Sequence, residues 1–211
     1  MFVDRKDAGE KLARALEPYR DEHVVVLAIP RGGVEVGCEV ADYLDSEFSV
    51  LISRKLPFPH NPESGFGAVA EDGSIFIFQG ATYWLDEGEI DRIVEEQKRE
   101  VQRRVDALRK GKPLPDIAGK TVILVDDGIA MGSTMMASVM FCKNREAHKI
   151  IVATPVAGKE VADELGRQVD EIVILEMPEL FRAVAQVYEN WYDVSDREVI
   201  DILEEWDRRH P

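Results

Sequence analysis

Asp126 and Asp127 stand side by side at the end of the apolar run Val122 to Val125. A loop of Gly128, Ile129, Ala130, Met131 and Gly132 follows and closes on Ser133 and Thr134, where a helix should begin. A helix N-terminus presents unpaired N–H groups and the positive end of its dipole, and both attract phosphate. Gly128 and Gly132 let the backbone come close to an anion, and the two hydroxyls can add donors. Two acids beside a phosphate cradle are consistent with each other if the ligand also carries hydroxyls and a divalent cation. A ribose 5-phosphate fits: the loop takes the phosphate, while the carboxylates accept from ribose hydroxyls or hold Mg²⁺ through water. A helix cap and a tight turn would account for Asp127 and the glycines singly. They do not account for strand, acid pair, glycine, small residues, Gly-Ser-Thr and helix in that order. No Gly-Lys-Thr follows, so a nucleoside-triphosphatase loop is unsupported.

Two further segments carry charge at places where strands end. In Leu27 to Gly37, a strand ends in Pro30, Arg31, Gly32 and Gly33 and a helix follows. The two glycines allow backbone amides to face an anion, with Arg31 as a nearby cation. In residues 53–73, Arg54 and Lys55 follow a strand and precede a stretch rich in Pro and Gly with little periodicity. Its two cations lie at the same sheet edge and could bind an anion, and the stretch after them reads as a mobile lid that excludes water. His60 is most simply an exposed loop residue. Glu63 is a candidate contact to an acceptor or a water.

The elements that must hold these segments alternate. Ala8, Leu12, Ala15, Leu16 and Tyr19 share a helical face. Residues 23–30 and 48–54 read as strands around a helix with Val36, Val40 and Leu44 on one side. Residues 74–78 are a further short strand. The clearest helix is 86–110, with Ile90, Val94, Val101, Val105 and Leu108 on one face and a capping box at Asp86 and Glu89; it reads as a packing or dimer surface. Strands follow at 121–126, 149–156 and 171–177, with helices from about Gly132 and over 159–167. From Pro178 the tail reads as helical and rich in aromatics. Apolar strands separated by helices imply an α/β fold with a mostly parallel sheet covered on both faces, whose ligands sit at the carboxyl ends of the strands.

The chain has 211 residues, 26 basic and 41 acidic, for a formal net charge of −15. That length suits a single domain, 1–211. The acidity disfavours nucleic acid and anionic membrane surfaces, which need a basic face, but leaves room for a small anion at a locally positive site. The two cysteines, Cys38 and Cys142, are too few for a disulfide framework, and the N-terminus has no signal-like apolar core, so a cytoplasmic setting is the expectation.

The string VILVDDGIAMGST resembles the phosphoribosyl-pyrophosphate (PRPP) signature of the type I phosphoribosyltransferases. Together with Ile-Pro-Arg-Gly-Gly upstream and GFGAVAEDG at 65–73, it is most similar to a poorly characterised subgroup of that family over nearly the whole chain. The resemblance implies the type I phosphoribosyltransferase fold, with a core over about 1–170, a flexible loop at about 55–80, and a small hood with C-terminal helices at about 171–211. It implies that Asp126 and Asp127 contact the ribose hydroxyls and hold Mg²⁺ through water, and that Gly128 to Thr134 cradle the 5′-phosphate. Pro30, Arg31, Gly32, Gly33 and Lys55 would bind pyrophosphate, and Arg31, Arg54 and Lys55 would stabilise it as it departs. A non-proline cis peptide often found in that pyrophosphate loop is expected at Arg31–Gly32. Phe181 is the expected hood contact to the base. Met131 stands where members often carry Thr. Ala130 stands where the hypoxanthine–guanine enzymes carry an acid, and is more like the adenine and uracil enzymes. The implied activity is Mg²⁺-dependent transfer of the phosphoribosyl group to a nitrogenous base by a homodimer. The alternative is a PRPP- or nucleotide-binding regulator that catalyses nothing.

Overall fold

The apolar runs form the centre of the molecule because each strand is covered on both sides. The computed structural model describes residues 1–210, with the side chain of Glu63 excepted. In chain order, helix α1 (Arg5–Ala15) leads to strand β1 (Val25–Ala28), helix α2 (Gly33–Leu44) and strand β2 (Glu47–Val50). Three strands follow, β3 (Ser53–Phe58), β4 (Asn61–Ala70) and β5 (Ile75–Ile77), then the long helix α3 (Glu87–Arg109). The rest is β6 (Thr121–Val125), α4 (Ser133–Asn144), β7 (Lys149–Val156), α5 (Lys159–Gly166), β8 (Glu171–Glu176) and α6 (Asp196–Arg209).

The main sheet has the order β2-β1-β6-β7-β8 and all four pairings are parallel. Alternate residues of one strand enter different cores. Val25, Leu27, Val122, Leu124 and Val152 pack with Met135 and Val139 of α4, while Val26, Ile123, Val125 and Ile151 pack with Leu12 of α1 and Val40 of α2. This two-sided burial is why the strands read as continuous apolar runs. From β1 the chain crosses through α2 to β2 on one side, and from β6 it crosses through α4 to β7 on the other. The gap beyond β1 and β6 is therefore the point where the strand order reverses, which is where open α/β sheets hold ligands.

The segment expected as a loop is instead a three-stranded antiparallel sheet, order β3-β4-β5. Its period-2 signal is absent because both faces are covered. Ala68 and Ala70 join the core with α4, and Val69 joins the core with Ile93 and Val101 of α3. A buried ion pair ties this sheet to α3: Arg109 lies 2.7 Å from Glu71, with side chains only 9% and 10% exposed. Glu71 also accepts from the Ile52 amide at 3.0 Å.

The tail is a second departure. Residues 178–195 are irregular apart from a short 3-10 turn at Val184–Val187, and helix resumes only where Ser195 and Glu198 form a capping box for α6. The aromatics there are not a helical stripe. Tyr188 and Trp191 pack with their rings tilted by 43° and centroids 5.1 Å apart, and Trp206 of α6 is buried against α2. No helix among the described residues is long and apolar enough to cross a membrane.

Candidate functional site

Three stretches far apart in sequence meet beyond the ends of β1 and β6. The loop after β1 and the loop after β6 are brought together by strand register, with Ala28 paired to Val125 and the Ile29 amide donating to the Val125 carbonyl at 2.8 Å. The start of β3 joins them because the Ser53 hydroxyl donates to the Thr134 carbonyl at 3.3 Å. Between them lies a cavity of about 440 Å³ lined by Pro30, Arg31, Ser53, Arg54, Lys55 and Thr134, together with Pro57, Pro62 and Arg104. It holds cations from the second and third expected segments and the first turn of α4 from the first.

The phosphate loop has the expected frame. Gly132, with φ of 78°, sits in the left-handed region and caps α4, so the chain turns sharply into the helix. Two loop amides are already engaged: Asp127 N–H donates to its neighbour Asp126 Oδ1 at 2.8 Å, and Ile129 N–H donates to the Val156 carbonyl at 2.8 Å. The first N–H groups of α4 have no intrahelical partner and are available to an anion. Met131 is exposed and Ser133 is buried.

The acid pair is more tightly held than its sequence suggests. Burial first, and the Asp127 charge second, raise the Asp126 carboxyl well above the usual carboxylate range. Asp127 Oδ2 accepts from Arg5 Nε at 2.7 Å, with side chains 13% and 3% exposed. Arg5 also donates to the Tyr192 carbonyl at 3.0 Å, and its guanidinium lies 4.0 Å from the centre of the Trp191 ring. The Tyr188 hydroxyl donates to the Asp127 carbonyl at 2.6 Å. The Arg5–Asp127 pair thus joins α1, the loop after β6 and the C-terminal segment. Sequence reasoning missed Arg5 because its partner is 122 positions away.

The pyrophosphate-type loop lies directly on this pair. The cis peptide bond is Pro30–Arg31, one bond before the expected Arg31–Gly32. A Cβ built on Gly32 would stand 1.8 Å from Asp127 Oδ2 and 2.8 Å from Arg5 Nε. No side chain fits there without displacing the carboxylate. Gly32→Ala is expected to cost roughly 1–3 kcal/mol in thermal melts, the usual range for overpacking. The shift lands on the acid and the loop together.

Arg31 lies 3.8 Å from Asp196, and Arg54 is held by Gln97 at 2.9 Å and Glu100 at 3.7 Å. Phe181 lies apart from these cations. It lines a second cavity of about 810 Å³ with Ala130, Gly158, Met177 and Pro178, on the other side of the phosphate loop. The Glu63 side chain falls outside the described residues. His60 is exposed at the β3–β4 turn. For Mg²⁺, no cluster of three His, Cys, Asp or Glu exists among the described residues. Asp126 and Asp127 each have one oxygen in the bonds above and a second outside them. That donor set fits a hard cation that keeps its waters and arrives with phosphates, and does not form a cage of its own.

Fold and site together define an α/β protein with a cavity lined by Arg31, Arg54, Lys55 and Arg104 at a topological switch point, and an acid pair at the end of the neighbouring strand β6. The chain belongs to the phosphoribosyl transferase domain family, whose model matches residues 4–188. It is 38% identical over 212 residues to "Putative phosphoribosyl transferase Rv0571c" of Mycobacterium tuberculosis strain H37Rv and, to the same extent, to "Putative phosphoribosyl transferase MT0597" of strain CDC 1551. All of this chain is covered in those matches but only 47% of each relative, so the chain spans about half the length of the curated relatives it matches. The crystal structure of the protein TT1426 from Thermus thermophilus is similar with a TM-score of 0.83 and 37% identity, covering 98% of this chain and 99% of that one.

Proposed function

We propose that the protein transfers the 5-phosphoribosyl group of PRPP to a nitrogenous base and releases pyrophosphate. One observation carries the reading. Pro30 and Arg31, Arg54 and Lys55, and Thr134 in the first turn of α4, far apart in sequence, line one cavity, and the loop after β1 sets Gly32 directly against Asp127 of the acid pair.

The chemistry follows from the order of charges. The 5′-phosphate binds at the N-terminus of α4, where the first amides of the helix face it. The ribose hydroxyls then lie over Asp126 and Asp127. Pyrophosphate extends toward Arg31, Arg54 and Lys55. The C1–O bond to pyrophosphate breaks, and its electron pair leaves with the pyrophosphate oxygen. A ring nitrogen of the base forms the new bond to C1 and its proton passes to solvent. In the transition state the ribose carries developing positive charge. The acid pair places negative charge beneath it while the arginines and lysine hold the departing anion. Asp126 and Asp127 would hold Mg²⁺ through water, and the ion would supply positive charge to the leaving group. The base lies in the cavity beside Phe181, which aligns its nitrogen with C1. The β3–β4 hairpin covers the reacting centre and excludes water. A homodimer belongs to the same reading, and light scattering tests it.

The test is one incubation with PRPP, Mg²⁺ and a pool of purine and pyrimidine bases, read by mass spectrometry. The Asp126→Asn, Asp127→Asn double variant is the control. A new nucleoside monophosphate, absent from the control, is expected and identifies the acceptor. Ribose 5-phosphate and pyrophosphate formed without any base would replace the transfer reading with hydrolysis. Intact, bound PRPP would replace it with a sensor.

A further inference from the structure

Helix α3, read from sequence as a packing face, delivers side chains to the polyanion cavity. Arg104 lines that cavity beside Arg54 and is only 17% exposed. A single carboxylate, Glu100, collects three arginines. It pairs with Arg103 through two bonds of 2.7 and 2.8 Å, with Arg104 Nε at 3.1 Å and with Arg54 at 3.7 Å. Asp196 stands 3.8 Å from Arg31 and 3.9 Å from Arg103. Four guanidinium groups therefore share two carboxylates, and three of the four, those of Arg31, Arg54 and Arg104, line one cavity. Gln97, buried on the same helix, accepts from Arg54 Nε at 2.9 Å and fixes it without cancelling its charge. Burial first, and then the positive charge of Arg104, push the Arg54 guanidinium below its ordinary value.

We propose that Arg104 is a binding residue for the pyrophosphate moiety and that Glu100 is the internal anion this moiety displaces. The proposal rests on the phosphoribosyl-transfer reading and adds a residue pair to it. Without ligand, Glu100 holds the Arg54 and Arg104 forks at the cavity. When a phosphate enters, both arginines exchange one carboxylate oxygen for phosphate oxygens. Glu100 is not stranded by the exchange, because it keeps its two-bond pair with Arg103, which is not among the cavity-lining residues. Planar guanidinium groups suit this role because they can grip either a carboxylate or a phosphate through two parallel N–H groups.

The pair makes predictions of opposite sign. Calorimetric titration with Mg²⁺–pyrophosphate at fixed ionic strength should show Arg104→Gln binding about tenfold more weakly, the size of one charge-assisted hydrogen bond. Glu100→Gln, which removes the competing anion, should bind several-fold more tightly. Arg104→Lys keeps the charge and should lose less than Arg104→Gln. Arg99→Gln, an equal loss of charge at an exposed position of the same helix, should stay within about twofold. If the wild type binds PRPP but Arg104→Gln and Glu100→Gln shift pyrophosphate binding in the same direction or not at all, the assignment of this pair is wrong and the transfer reading stands. If the wild type binds neither PRPP nor pyrophosphate, both are wrong.

Discussion

Arg5→Ala is expected to be the most destabilising single substitution at the site. It removes a guanidinium whose side chain is 3% exposed and leaves Asp127, 13% exposed, without its cation. Breaking one partner of a buried pair costs about 3–5 kcal/mol, chiefly because the remaining charge stays desolvated. The contact with Trp191 at 4.0 Å is lost as well, and with it the tie from α1 to the C-terminal segment. For a chain of this size the melting temperature should fall by roughly 10 °C. Arg14→Ala on the same helix, where the side chain is 68% exposed, should change stability by no more than about 0.5 kcal/mol. A double-mutant cycle separates the causes. Adding Asp127→Asn to Arg5→Ala removes the stranded charge and should recover part of the loss. A double-variant loss equal to the sum of the two single losses would mean that the two side chains are not energetically coupled.

Asp126→Asn is expected to divide stability from turnover. Burial and the neighbouring Asp127 raise the Asp126 carboxyl, so the folded protein holds this proton more tightly than the unfolded chain does. A group of that kind contributes stability that is complete below the unfolded carboxylate value and is lost as pH rises through the folded one. Asparagine keeps the shape and carries no charge, so the loss on raising the pH disappears. Near neutral pH the Asn variant should melt no lower than the wild type, and its advantage should shrink as the pH falls into the carboxylate range. Transfer should nevertheless drop by roughly a hundredfold or more, the scale for removing one preorganised electrostatic group facing a transition-state charge. Full activity in Asp126→Asn would take this acid out of the mechanism. The stability gain and activity loss together are the signature of a carboxylate kept for function at a cost to folding.

The phosphate loop was legible in sequence because it is local. Strand, acid pair, Gly128, Gly132 and helix follow each other without a gap, and α4 begins at Ser133, as the order of those residues requires. Strand β7 and helix α3 were legible because each has a continuous run or a 3.6-residue period of its own. What stayed hidden depends on distant partners. Strand β4 is covered by α3 on one face and α4 on the other, so small apolar residues replace the alternation that marks a half-exposed strand. Arg5 reads as an ordinary first-turn residue of α1 until the loop after β6 and Tyr192 close around it. Helix 86–110 read only as a packing or dimer surface, since it is the packing of α3 against the β3–β4 sheet that brings Arg104 to the cavity. The aromatics of the tail suggested a helix, yet Trp191 and Tyr192 cover a buried cation instead.

The most direct measurement is a crystal structure of the protein grown with PRPP and Mg²⁺. The 5′-phosphate is expected at the N-terminus of α4, the ribose hydroxyls over Asp126 and Asp127, and the pyrophosphate in the cavity against Arg54. PRPP bound at another surface, or a crevice without density at saturating PRPP, would contradict a single site built from these three segments.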